Sequence, residues 1–209
     1  MSEIAGSIIP NQRIDRIVGF AKELESKPSE VEQRLMRAAL ANENFTDLME
    51  EALRQVARSV SQERRARIAA LLVNGLKPDE ISYVESKHLL RILGEINDIE
   101  IIRLGSHLYE TFGSGKEYWT KHSELLKPVA PAIRSSEREH ERATLHDSYD
   151  EHLAQLGLLQ PRHNVDLRTN QLVVDRSTGA LEVRGYGITS LGRLLLKRVG
   201  VEVEAENAG

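Results

Sequence analysis

The chain has 209 residues, 40% of them hydrophobic, 29% charged and 4% aromatic, with a formal net charge of −4. That length suffices for one sizeable core or two small ones, and an apolar weight carried by Leu, Ile, Val and Ala favours helix packed on helix over an all-β core. The absence of cysteine excludes disulfides and thiol chemistry, no apolar run approaches the roughly 18 residues that span a bilayer, and the acidic balance argues against a whole surface built to grip nucleic acid.

The opening Met1-Ser2-Glu3-Ile4-Ala5-Gly6 has neither a basic region nor a long apolar stretch. No secretory leader is expected, and a cytoplasmic location is. Residues 1–10 read as a loose lead. After Asn11, Ile14, Ile17, Val18 and Ala21 share one helical face. Lys27, Pro28 and Ser29 break that helix, with Ser29 expected to cap the next and Gln33 near the capping-box position. Val31, Leu35, Ala38 and Ala39 follow at helical spacing. Asn42 or Asn44 is the expected cap for a helix carrying Phe45, Leu48, Met49, Ala52, Leu53 and Val56. Ser59 or Ser61 opens another with Ile68, Leu71 and Leu72, stopped at Asn74 and Gly75.

Pro78 suits the first turn of a helix filled by Tyr83, Leu89, Leu90, Ile92 and Leu93. Asn97 and Asp98 restart a helix bearing Ile99, Ile101, Ile102, Leu104 and Leu108. Gly113, Ser114 and Gly115 read as a loop, and residues 116–126 as a short helix with Tyr118, Trp119 and Leu125. Pro128 and Pro131 mark the strongest internal break. A charged helix from Ser135 or Ser136 then runs to Leu153-Ala154-Gln155-Leu156-Gly157-Leu158-Leu159. Pro161 is expected to turn the chain and 162–170 to form a loop. Leu172-Val173-Val174 and Leu181-Glu182-Val183 read as two strands joined by Arg176-Ser177-Thr178-Gly179. Gly185 and Gly187 suggest a bend or bulge. Thr189 is the expected cap of a last helix with Leu191, Leu194 and Leu195 on its apolar stripe, and Gly192 allowing close approach. Lys197 and Arg198 suit its C-terminal end, and Gly200 its stop. Residues 201–209 read as an acidic flexible tail. No repeat recurs at a fixed period.

Two stretches of this tail-end module, Leu156-Gly157-Leu158 and Ile188-Thr189-Ser190-Leu191-Gly192, bracket the expected hairpin. In that order they resemble the winged-helix superfamily, especially the multiple-antibiotic-resistance-regulator type, where a Leu-Gly-Leu helix end precedes a wing and a Leu-Thr-x-x-Gly helix start follows it. Upstream, Arg64-Arg65-Ala66-Arg67-Ile68-Ala69-Ala70-Leu71-Leu72 and the stretch Leu93–Ile101 are similar to bacterial helical proteins linked to phage defence, of the abortive-infection alpha type. The resemblance implies a mainly α fold: a helical bundle at 10–96, then a winged-helix-like domain at 97–200 with one C-terminal β-hairpin.

Such a module implies either a protein contact or a DNA contact. In the DNA form the helix before the wing enters the major groove, and the wing touches phosphates. Between Gln160 and Gly200 seven Lys and Arg stand against three acids. Arg162, Arg168, Arg176 and Arg184 are the candidate nucleic-acid contacts, with helix 137–157 and the wing at 172–188 as reading elements. That helix holds six acids against Arg138 and Arg142, and phosphates repel such a charge.

Chemistry is sparse elsewhere. His140, His146 and His152, six residues apart, point about 120° from one another on a helix, so they do not converge on one ion. His146 and Asp150 form an i, i+4 pair with no further ligand, and no metal is expected. Glu139-His140-Glu141 lacks the spacing of a zinc helix, and Ser114 sits in no nucleophile elbow, so no catalytic residue and no cofactor are expected. Arg64, Arg65 and Arg67 read as a solvated face, and Tyr118 and Trp119 as core anchors. The sequence thus predicts a non-enzymatic interaction or regulatory protein, self-associating as a homo-oligomer or holding another protein, with no membrane contact. A transcriptional regulator that binds DNA is the alternative.

Overall fold

The computed structural model describes residues 2–76, 80–109, 115–127, 136–177 and 179–201. Among these the protein is mainly helical, with short antiparallel pairings in the C-terminal third. Pro78, Ser114, Pro128–Pro131, Ser135, Thr178 and the tail from Glu202 were singled out in the sequence but lie outside the described residues. No described helix is long and apolar enough to cross a membrane. The chain divides into two compact units, Met1–Glu95 with Lys197–Val201, and Ile96–Leu196.

The first unit holds α1 (Ser2–Glu25), α2 (Ser29–Ala41), α3 (Glu43–Arg58), α4 (Gln62–Asn74) and α5 (Glu80–Glu95). α1 starts at Ser2, where a loose lead was expected. Ile4, Ala5 and Ile8 already carry the helical spacing, and the helix continues through Pro10 at the cost of one backbone donor. α3 packs against each of the other four. Its Phe45, Leu48, Ala52 and Val56 fall on one stripe and are fully buried. Phe45 meets Tyr83 edge-on, with ring centroids 5.3 Å apart. Asn42 caps α3 through the Phe45 amide at 3.2 Å, and Ser61 caps α4 through that of Arg64 at 3.0 Å. Ser29 does not cap α2. Pro28 takes the cap position in extended backbone (φ −51°, ψ 141°), without a side-chain bond, so Ser29 is already helical.

The basic cluster of α4 is not a plain solvated face. Arg64 donates to the carbonyl of Leu93, in the last turn of α5. Arg65 donates to that of Ser59, the C-cap of α3, at 3.1 Å. Both satisfy helix-end carbonyls that have no partner in their own helices. Within the same unit, Asn74 Nδ2 donates to the carbonyl of Arg198 at 2.9 Å.

The second unit holds α6 (Asp98–Ser106), α7 (Lys116–Lys121), α8 (Ser123–Leu126), α9 (Glu137–Gln155), β1 (Leu159–His163), β2 (Val165–Asp166), β3 (Gln171–Leu172), β4 (Val183–Ile188) and most of α10 (Ser190–Arg198). The helix expected at 116–126 is split into α7 and α8 at His122. Asn97 and Ser136 head α6 and α9 with full capping boxes closed by Glu100 and Glu139. Tyr118 donates to the Ile102 carbonyl at 2.8 Å and covers Gly105, whereas Trp119, 38% exposed, is no core anchor.

The main ladder is not the expected 172–174/181–183 hairpin. It is β1 against β4, running from Leu159↔Ile188 through Pro161↔Tyr186 to His163↔Val183. Pro161 therefore lies in a strand, where a turn was expected. A two-stranded ladder consists only of edges, so a residue without an N–H fits its open side. Part of the expected 162–170 loop is likewise strand, β2 pairing with β3 through Val165↔Leu172 and Asp166↔Gln171. The expected hairpin survives as one bridge, Val174↔Leu181.

These two small hairpins are copies of one another. Val165-Asp166-Leu167-Arg168-Thr169-Asn170-Gln171-Leu172 and Val174-Asp175-Arg176-Ser177-Thr178-Gly179-Ala180-Leu181 share Val, Asp, Thr and Leu at matching positions. In each, the first residue pairs with the last. In each, the Asp Oδ1 accepts the amide two residues on (Arg168 at 2.8 Å, Ser177 at 2.7 Å), and its carbonyl accepts the amide four residues on at 2.8 Å. The sixth residue is left-handed in both, Asn170 at φ 55° and Gly179 at φ 72°. A repeat is thus present, although none was expected. Two copies with half their residues changed leave little periodic signal.

Candidate protein-contact surface

The site begins where α9 stops. Gly157 takes φ 72° and donates to the Ala154 carbonyl at 2.9 Å, while the Leu158 amide reaches back to Leu153 at 2.9 Å. This is a Schellman closure, and it turns the chain directly into β1. The Thr189 hydroxyl donates to the Gly157 carbonyl at 2.7 Å and accepts the Gly192 amide at 3.1 Å, so one side chain both caps α10 and ties it to the end of α9. Gly192 is required here: a Cβ would run into the Leu158 carbonyl oxygen, with Ile188 Cγ1 only 2.9 Å away. The two sequence stretches that bracket the ribbon therefore meet in space.

At its far end the ladder opens into three arms. Asn164 donates its amide to the Glu182 carbonyl, Glu182 to that of Val173, and Val173 to that of Asn164, each at 2.9 Å. β1/β4, the 165–172 hairpin and the 174–181 hairpin radiate from this closed trio. Asn164 Nδ2 also reaches Glu182 Oε2 at 2.9 Å, which puts those two side chains on one face. Side chains alternate along a strand, and directly paired residues share a face. His163, Val165, Leu172, Val174, Leu181 and Val183 therefore ring the junction on the opposite face. The five aliphatic members are 41–50% exposed, and Leu167, in the first turn, is 98% exposed. The same parity places Leu159 and Pro161, with Ile188 and Tyr186, on the ring's face. That face is buried at Leu159 and Ile188 and bare at the ring.

All four candidate arginines are exposed, but they are not gathered into one patch. Arg162 lies across Gly187. Arg184 is the extra residue of a bulge between Val183 and Gly185, near the bend expected from the glycines. Arg168 and Arg176 occupy the turns of the two separate hairpins. The ribbon acids are committed elsewhere, Asp166 and Asp175 to their own turn amides and Glu182 to Asn164.

α9 presents a contrasting surface. At 100° per residue, Glu137, Glu141, Thr144, Ser148, Glu151 and Gln155 fall within an arc of about 80°, and all are exposed. Asp147 and the half-exposed Leu145 flank this stripe, which holds three glutamates and no Lys or Arg. Asp150, the fifth of the helix's six acids, points inward. Arg103 donates to it from Nε at 2.9 Å and from a terminal nitrogen, and His107 Nε2 stands 3.8 Å away. Burial raises the Asp150 pKa, but hydrogen bonds from His107 and Arg103 outweigh it and hold the carboxyl below its ordinary value. His152 Nδ1 meets the buried Glu100 at 2.6 Å. Sequence reading missed both pairs, because their partners lie 47 and 52 residues apart. Burial and the nearby Arg103 and Arg142 lower His146, and burial and the α9 carboxylates, led by Glu151, raise Tyr186.

A cleft of about 310 Å³ is lined by Arg103, His107, Trp119, His146 and Asp147, among others. Asp150 already engages Arg103 there, which leaves the cleft little free positive charge. The i, i+4 pair His146 and Asp150 gains no third ligand among the described residues. Compared with protein-family models, curated proteins and solved structures, the chain matches none of them.

Proposed function

We propose that this chain is a non-enzymatic interaction protein whose C-terminal module is winged-helix-like, with α9, the ribbon and α10 in the roles of helix, wing and closing helix. In this reading the wing holds a protein. One observation carries it: five aliphatic side chains stand 41–50% exposed on one face of the ribbon. Contiguous exposed apolar surface of this kind marks a contact site far more often than scattered single residues do. Covering the face would remove it from water at roughly 25 cal/mol per Å².

The DNA reading draws on the four exposed arginines, Arg162, Arg168, Arg176 and Arg184. It is opposed by the outward stripe of α9, which would bring three glutamates and no cation to the phosphates. A photo-crosslinking amino acid at Leu181, in cells that make the chain, separates the two. The expected product is a protein adduct. Adducts to DNA alone, or none, would overturn the reading. A labelled duplex at low salt supplies the converse check, with no shift expected. Salt-sensitive binding that weakens in Arg176→Ala would transfer the function to DNA.

A further inference from the structure

The first unit carries a cleft of about 390 Å³, a size that suits a small molecule. Arg34 and Arg37 of α2, Asn42 between α2 and α3, and Tyr83 of α5 line it, with Ala38 and Leu76 as apolar wall. Its positive charge is uncommitted. Arg34 donates to the Leu76 carbonyl, and Arg37 to Gln33 Oε1 at 3.2 Å. Both acceptors are neutral, so each guanidinium is held without being neutralised, whereas Arg103 is matched by Asp150. Among the described residues no carboxylate lines the cleft. Glu30, Glu32 and Glu43 in the adjoining turns are exposed and, among the described residues, form no ion pair with either arginine, and Asp47 is paired with Lys87. α2 ends and α3 begins at Asn42, so helix dipoles of opposite sign meet there and the arginines set the potential. Tyr83 gives a separate indication. It is 7% exposed, its ring packs on Phe45, and its hydroxyl bonds to no described residue. A hydroxyl so placed ordinarily has a partner. We propose that the cleft binds a phosphate monoester. Both guanidiniums and the Tyr83 hydroxyl donate to the phosphate oxygens, and the organic group lies along Ala38 and Leu76. Two fixed positive charges match a dianion, and the guanidinium forks match phosphate oxygens in pairs.

Calorimetric titration of the full chain with phenyl phosphate at neutral pH tests this, and one saturable site is expected. Benzoate, with one charge in place of two, and inorganic phosphate, without the apolar group, should each bind about tenfold more weakly. Arg37→Gln changes an exposed position and should weaken phenyl phosphate about tenfold. Tyr83→Phe keeps the ring against Phe45 and should keep the wild-type circular dichroism, while weakening phenyl phosphate about fivefold. Arg58→Gln removes the same charge from the exposed last turn of α3, about 20 Å along the helix from Asn42, and should leave binding unchanged. Absence of saturable binding up to ten millimolar phenyl phosphate would overturn the proposal, as would benzoate or inorganic phosphate binding equally well. An equal loss in Arg58→Gln would reduce the effect to general attraction between ions. Unchanged binding in both Arg37→Gln and Tyr83→Phe would put the ligand elsewhere. Either result removes the site.

Discussion

The two ends of the β1/β4 ladder differ in what covers the same face. Near α9, Leu159 and Ile188 are buried, as are Leu153, Leu158, Leu195 and Leu196 around them. At the junction, five aliphatic residues on the continuing face stand almost half exposed. Strand alternation sets both ends, but helices cover only one. The difference separates side chains that hold the unit together from side chains available to something else. It also predicts that substitutions of similar chemistry will have unlike effects at the two ends.

The largest effect is expected at the covered end. Leu153→Ala removes a fully buried side chain beside the Schellman closure and should cost about 3–4 kcal/mol in urea unfolding. A loss under about 1 kcal/mol would mean that this end is not the anchor of the ladder. Asp150→Asn should cost about 2–3 kcal/mol, because it leaves the Arg103 guanidinium partly buried without its carboxylate. The pH dependence has a defined sign. A carboxyl held below its ordinary value when folded contributes stability that is complete above its unfolded pKa of about 3.9 and is lost as pH falls through the folded one. Unfolding followed from pH 6 downwards should therefore show a shallower acid decline in Asp150→Asn than in the wild type.

A smaller loss is expected where α10 meets the end of α9. Thr189→Val keeps the shape of the side chain but removes its bonds to the Gly157 carbonyl and the Gly192 amide, for about 1–2 kcal/mol. The smallest effect belongs to the bare end. Val174→Thr with Leu181→Thr keeps strand-forming residues on an exposed face, so stability should move by less than about 0.5 kcal/mol. A large stability loss there would erase the contrast and mark the ring as part of the fold.

The sequence spoke most clearly where a side chain acts on its own neighbourhood. Asn42, Ser61, Asn97, Ser136 and Thr189 each cap the amide three residues on, and Gly157 closes α9 within one turn, so short windows contain both partners. Interactions between distant segments left no such mark. Pro161 reads as a break until its strand is seen to have one neighbour. Arg64 and Arg65 read as solvated until the helix ends they serve are placed beside them. Asp150 counted against DNA in a plain tally of acids, yet it faces Arg103. What opposes DNA is the outward direction of Glu137, Glu141 and Glu151. As for the candidate site, the four arginines were legible as exposed wing charges. The apolar ring was not, because its six positions share a face only through the junction of three arms.

That junction also bears on how the ribbon came to have its length. Asn164 already bonds Glu182, and Val174 already pairs with Leu181, so excising the nine residues 165–173 would leave His163, Asn164 and Val174 facing Val183, Glu182 and Leu181 in unbroken register. Excising 174–182 instead would leave Asn164 facing Val173 and Val165 facing Leu172, again without a slip. Either hairpin is therefore dispensable to the other's geometry, and the ribbon is a module that tandem duplication can lengthen, or deletion shorten, without disturbing the helices at its base.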